Sequence, residues 1–151
     1  MGDSTSEERN TVKSSTDLFY QAEGRRPRLL LGMLHNPDLE TINYLSSSMA
    51  DLGFDIDIAS SNLNLSQLLL QAQENDVHGL MIQVSTKDLT SIQNQLRDFL
   101  NTASDNETEV FLRSKSSDQT SAQDNLMRQV RIISDELTPV ETAVLILDQL
   151  A

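Results

Sequence analysis

Cysteine is missing from all 151 positions. Disulfides, thiolate metal sites and cysteine nucleophiles are therefore excluded. Tryptophan is missing too, and aromatic residues make up only 4%, so a core must be built mainly from Leu, Ile and Val. Glycine occurs five times and proline three times. Few loops can therefore adopt positive φ or bring bare backbone close to a bulky ligand. Basic residues are also scarce: 11 Lys and Arg stand against 23 Asp and Glu, a formal net charge of −12. Nucleic-acid phosphates and anionic membrane surfaces call for basic patches, so neither is expected as a partner. No apolar run approaches the roughly 18 residues of a membrane span. The opening MGDSTSEERN has no basic start and apolar core of a signal peptide, and it is too acidic for a transit peptide. A cytoplasmic setting is the expectation.

What is present is 38% hydrophobic residues, enough for one core at this length. Residues 1–14 are Ser, Thr and charge and are expected to lack structure. Residues 15–22 read as a short helix, followed by a linker at 24–27. From there the pattern alternates. Apolar runs at 28–34 and 77–84 read as buried strands, and 54–59 (FDIDIA) alternates strictly. Shorter strands are expected at 110–112 and 130–133. Between them, Ile42, Leu45, Met49 and Leu52 recur at helical spacing, with Gly53 as a stop. Residues 64–74, 87–101 and 118–128 also read as helices. A last helix opens at Thr138-Pro139, with proline in its first turn. Strands alternating with helices imply βαβ units and a parallel sheet. Five strands and a final helix suggest the flavodoxin-like order 2-1-3-4-5.

Loops at the C-terminal ends of such strands carry ligands. The first holds His35, in MLHNPDLET. A lone histidine without convergent Asp, Glu or Cys partners is a weak metal site. His78, beside Gly79 in a strand, reads as a packed, hydrogen-bonded residue. Asp55 and Asp57 share a sheet face, a spacing that general acid–base chemistry could use, but a solvated edge pair is the simpler reading. Ser85-Thr86-Lys87 and Arg113-Ser114-Lys115 are hydroxyl–cation clusters near strand ends. Without glycine neither makes a phosphate cradle. No Ser-His-Asp, Walker or Rossmann fingerprint is present.

Three stretches resemble the cobalamin-binding, flavodoxin-like C-terminal domain of the methylmalonyl-CoA mutase (acyl-CoA mutase) family: EGRRPRLL from Glu23, ADLGFDIDI from Ala50 and NDVHG from Asn75. The closing TPVETAVLILDQL is similar to that domain's last helix. The resemblance covers roughly 17–151 and is weak between about 84 and 136. It implies a domain over 28–151, joined through 15–27 to a tail at 1–14. It also implies a cobalt site after the first strand, patterned Asp-x-His-x-x-Gly, in which the Asp would orient the ligating His. Counting inward from the matching flanks, the ligand position falls on Asp38 or Leu39 and the Gly position near Thr41. His35 lies three or four residues early. The family's small Ser-Thr pair after the third strand becomes Gln83 and Val84. Its Gly-Gly pair after the fourth becomes Ser114 and Lys115, and its Gly-rich turn before the last helix becomes Ser134-Asp135-Glu136-Leu137.

Structural positions match and cofactor positions do not. The resemblance therefore implies a degenerate domain with no cobalamin and no metal. Its expected role is that of a non-catalytic partner or regulatory module, docked on a mutase catalytic subunit or another protein. The alternative is a working cobalamin-binding small subunit of an adenosylcobalamin-dependent mutase, an isomerase, with His35 taking over cobalt ligation.

Overall fold

The structure is a computed structural model that describes residues 6–34, 39–102, 108–115 and 130–150. Its five strands are β1 (Arg28–Met33), β2 (Asp55–Ile58), β3 (Gly79–Gln83), β4 (Glu109–Ser114) and β5 (Val130–Ser134). All pair in parallel, in the order β2-β1-β3-β4-β5. This is the flavodoxin-like sheet expected from the alternation. The helices are α1 (Ser6–Glu23), α2 (Leu39–Asp51), α3 (Leu65–Glu74), α4 (Leu89–Thr102) and α5 (Pro139–Leu150). A 3₁₀ turn, Thr86–Asp88, leads into α4. The helix expected at 118–128 lies outside the described residues.

The period of two along each strand sorts the core into two layers. Leu30, Leu80, Ile82, Val110 and Leu112 face α3 and α4, meeting Leu65, Leu68, Leu69, Leu89, Ile92 and Leu96. Leu29, Leu31, Met33, Met81 and Phe111 face the other way, onto Ile42, Leu45 and Met49 of α2 and Val140, Ala143 and Ile146 of α5. The central strands are thus apolar on both faces, as a covered parallel sheet requires. Edge strand β2 is different. Phe54, just before it, is 4% exposed, whereas Ile58 is 43% exposed, so the apolar face read from FDIDIA runs out toward its end. Asp57 takes two hydrogen bonds from the Arg28 guanidinium, the shorter 2.8 Å, while Asp55 is exposed.

The N-terminal segment departs from its expectation. Helix α1 begins at Ser6 and takes in most of the stretch expected to lack structure. The reason is tertiary. Val12 and Thr16, one turn apart, are 2% and 1% exposed. Val12 joins the α2/α5 layer, and the Thr16 hydroxyl lies 3.0 Å from the Leu52 carbonyl oxygen. The helix expected at 15–22 is its C-terminal part; one valine in the polar segment before it makes no periodic signal, so the extension back to Ser6 shows only once its partners are in place. Gly53 stops α2 as expected, with φ +105°, and a Cβ there would collide with Thr16. The two linker arginines are engaged within the chain. Arg25 donates to the Asp76 carbonyl at 2.7 Å, and Arg26 lies over the Tyr20 ring.

Candidate functional site

From β1 the chain crosses to β2 on one side, then returns to β3 on the other. The C-terminal ends of β1 and β3 therefore part at a switch point, where open α/β sheets hold ligands. A cavity of about 530 Å³ opens there, within the range of small-molecule sites. Leu34 and Val84 supply its apolar wall; Thr41, Gln83, Ser85, Thr86, Arg113, Lys115 and Asp135 supply polar groups.

Strand register brings these residues together. Gln83 is the partner of both Met33 and Arg113, so the last residue of β3 stands beside the penultimate residue of β4. Arg113 is only 7% exposed. Its guanidinium donates to Gln83 Oε1 at 2.6 Å and to the Asp135 carbonyl oxygen at 3.2 Å. Gln83 Nε2 in turn donates to the Asp135 carboxylate at 3.2 Å. Three successive strand ends are thus tied by one polar bridge. Burying a guanidinium is costly unless its donors are used, and a connected network holds its members in fixed positions.

The residues singled out from sequence divide as follows. Gln83, Val84, Lys115 and Thr41 line the cavity. Val84 is 1% exposed and belongs to the α3/α4 core layer. Ser114 is fully buried, its hydroxyl 3.4 Å from that of Thr86. Leu39, the first residue of α2, is 55% exposed and does not line the cavity. His35 and Asp38 lie outside the described residues. Sequence reasoning missed the bridge between Gln83, Arg113 and Asp135. Its signal was a polar residue closing each apolar strand, which becomes a contact only once the register is known.

Ser85 donates to Asp88 Oδ2 at 2.7 Å, which braces the turn into α4. His78 stands at the opposite, N-terminal end of the strands, just before β3. Its Nδ1 accepts the Arg28 backbone N–H at 3.0 Å, so its proton sits on Nε2. The ring meets Phe19 of α1 edge-on at 4.9 Å. Burial pushes its pKa below 6.5, Arg25 adds to that, and Glu23 and Asp76 oppose it. Also at that end, burial raises the pKa of Glu109, and a hydrogen bond from Gln149 works against the rise. Among the described residues no three His, Asp or Glu side chains converge to hold a metal, and no helix is long and apolar enough to cross a membrane.

No protein-family model matches the chain. Individual relatives do. The methylmalonyl-CoA mutase large subunit of Streptomyces virginiae is 38% identical over 81 residues, 51% of this chain and 10% of that protein. A probable methylmalonyl-CoA mutase large subunit of Mycobacterium tuberculosis is 30% identical over 96 residues, 59% of this chain and 12% of that protein. The large subunit of Propionibacterium freudenreichii subsp. shermanii is 41% identical over 64 residues, 40% of this chain and 8% of that protein. The match thus spans about a tenth of those relatives' length. Over roughly half its length, then, the chain is similar to a short part of methylmalonyl-CoA mutase large subunits.

Proposed function

We propose that the chain is a cobalamin-binding-like module that takes up no cobalamin, and that it serves as a non-catalytic partner or regulatory module of an acyl-CoA mutase. The observation that carries this reading is the Arg113–Gln83–Asp135 bridge. By the resemblance, the ends of β3, β4 and β5 should carry small residues that leave room for a buried nucleotide tail. Here Gln83 and Asp135 stand at two of those positions, and Arg113, just before the third, bonds to both. Seating a tail there means breaking the bridge, and each buried polar group left without a partner costs about 1–3 kcal/mol. The five-stranded sheet around it is kept, which suits a module whose remaining task is contact with protein.

The test is titration of the purified chain with hydroxocobalamin and adenosylcobalamin, read by absorption and gel filtration. Neither corrinoid is expected to co-elute, whereas a mutase catalytic subunit is. Co-elution with a cobalt spectral shift that disappears in His35→Ala would overturn the reading. It would make the chain a working cobalamin-binding subunit with His35 on cobalt.

A further inference from the structure

We propose that the cleft at the ends of β1, β3 and β4 binds a small phosphate monoester of a hydroxylated carbon skeleton, with its phosphoryl group at Lys115 and Thr86. Charge is the first reason. Among the described residues the cavity is lined by two cations, Arg113 and Lys115, and one carboxylate, Asp135. Acids outnumber bases 23 to 11 in the whole chain, so this wall runs against the charge of its own protein. Lys115 is exposed and makes no ion pair among the described residues. The Thr86 hydroxyl lines the same wall, and a hydroxyl and an ammonium donor together suit phosphoryl oxygens, whereas the Ser85 hydroxyl is committed to Asp88.

The second reason is the neighbouring strand end, where the Asp135 N–H donates to the Ser114 carbonyl oxygen and so stands beside Lys115. The Asp135 carboxylate would repel a bare dianion, but it accepts hydrogen bonds from hydroxyl groups, and it is held in place by Gln83 at 3.2 Å. The wall therefore asks for a ligand with an anionic end and a neutral, hydroxyl-bearing end. Leu34 and Val84 offer an apolar surface for the carbon skeleton between them. A volume of about 530 Å³ accommodates such a molecule and is larger than phosphate alone needs. Because the bridge is already formed, Asp135 is ordered before the ligand arrives.

The proposal shares its cleft with the proposed function, but the two fail separately. Corrinoid uptake would overturn the proposed function. The monoester is tested by ¹H–¹⁵N NMR titration of the full chain with ribose 5-phosphate, ribose and inorganic phosphate. Saturable shifts are expected at the amides of Thr86, Lys115 and Asp135 with ribose 5-phosphate. Inorganic phosphate should bind about tenfold more weakly, and ribose should give no saturable shift. Lys115→Gln should weaken ribose 5-phosphate about tenfold, the loss of one charge-assisted contact. Lys87→Gln makes the same charge change outside the cavity lining and should leave affinity unchanged. No saturable shift at millimolar ribose 5-phosphate, equal binding of ribose, or equal losses in both lysine variants would overturn the proposal.

Discussion

The two edges of the sheet are built on different rules. At the N-terminal edge the chain is closed by a tight glycine turn and by side chains bonded to backbone. Gly53 turns with positive φ beneath Thr16, His78 accepts a strand N–H through one ring nitrogen, and Arg25 reaches the Asp76 carbonyl. At the C-terminal edge the strands end in long polar side chains that meet across an open cleft. The first edge ties side chains to backbone at close quarters. The second leaves room and fills part of it with a network. The contrast teaches where change is tolerated: a closed edge resists every substitution that adds a Cβ or removes an acceptor, whereas an open edge can exchange its lining and keep the fold.

The strongest way to break that contrast is Gly53→Ala. A residue with a Cβ is strained at φ +105° and also collides with Thr16, so a loss of about 3 kcal/mol is expected in urea unfolding. A loss below about 1 kcal/mol would mean that α1 yields freely and the N-terminal edge is not closed. Arg113→Met comes next. It strips Gln83 Oε1 of its donor and is expected to cost about 2 kcal/mol. A double-mutant cycle with Gln83→Leu should then recover part of that loss, because the pair acts as a unit. Additive losses would show that the bridge is not one network.

Thr138→Ala probes the helix end nearest the open edge. Thr138 Oγ1 accepts the Glu141 N–H at 3.1 Å, while Glu141 Oε1 accepts the Thr138 N–H at 2.9 Å. This is a capping box. Its loss should cost about 1 kcal/mol by thermal unfolding, matched by Asn64→Ala at the equivalent box of α3. The smallest effect is a slope. His78 is held neutral in the fold, with its pKa pushed below 6.5. The unfolded chain therefore binds more protons between the folded pKa and 6.5, and stability rises with pH in that window. His78's contribution is full above about 6.5 and is lost as the pH falls toward the folded value. His78→Asn keeps an acceptor for Arg28 N–H and removes the titration. Urea midpoints from pH 5.5 to 7.5 should fall less steeply on acidification in the variant. Identical slopes would show that His78 does not titrate differently on folding.

Much of the fold was legible because each strand carries its own signal. The run LLLGM and the alternation of FDIDIA are properties of neighbouring residues, and a parallel order follows from their spacing. Gly53 was legible as a stop because only glycine adopts that φ without strain. The last part of helix α1, 15–22, was legible as well, but its first part was not, since Val12 is buried by its tertiary neighbours rather than marked by its own sequence context. The cleft was half legible. Gln83, Val84 and Lys115 were placed near it by resemblance, whereas Arg113 and Asp135 became partners only through the β3–β4–β5 register.

By itself, then, the amino-acid order determined the strand and helix alternation, the glycine stop, the acidic charge and the exclusion of thiol chemistry. These depend on local dihedral preference, periodicity and composition. The tertiary structure alone decided that an isolated valine anchors an 18-residue helix and that a glutamine, an arginine and an aspartate up to 52 residues apart close three strands with one network. The physical reason is that burial and hydrogen-bond partnership belong to positions in space, and a parallel sheet sets side by side residues that the chain keeps far apart.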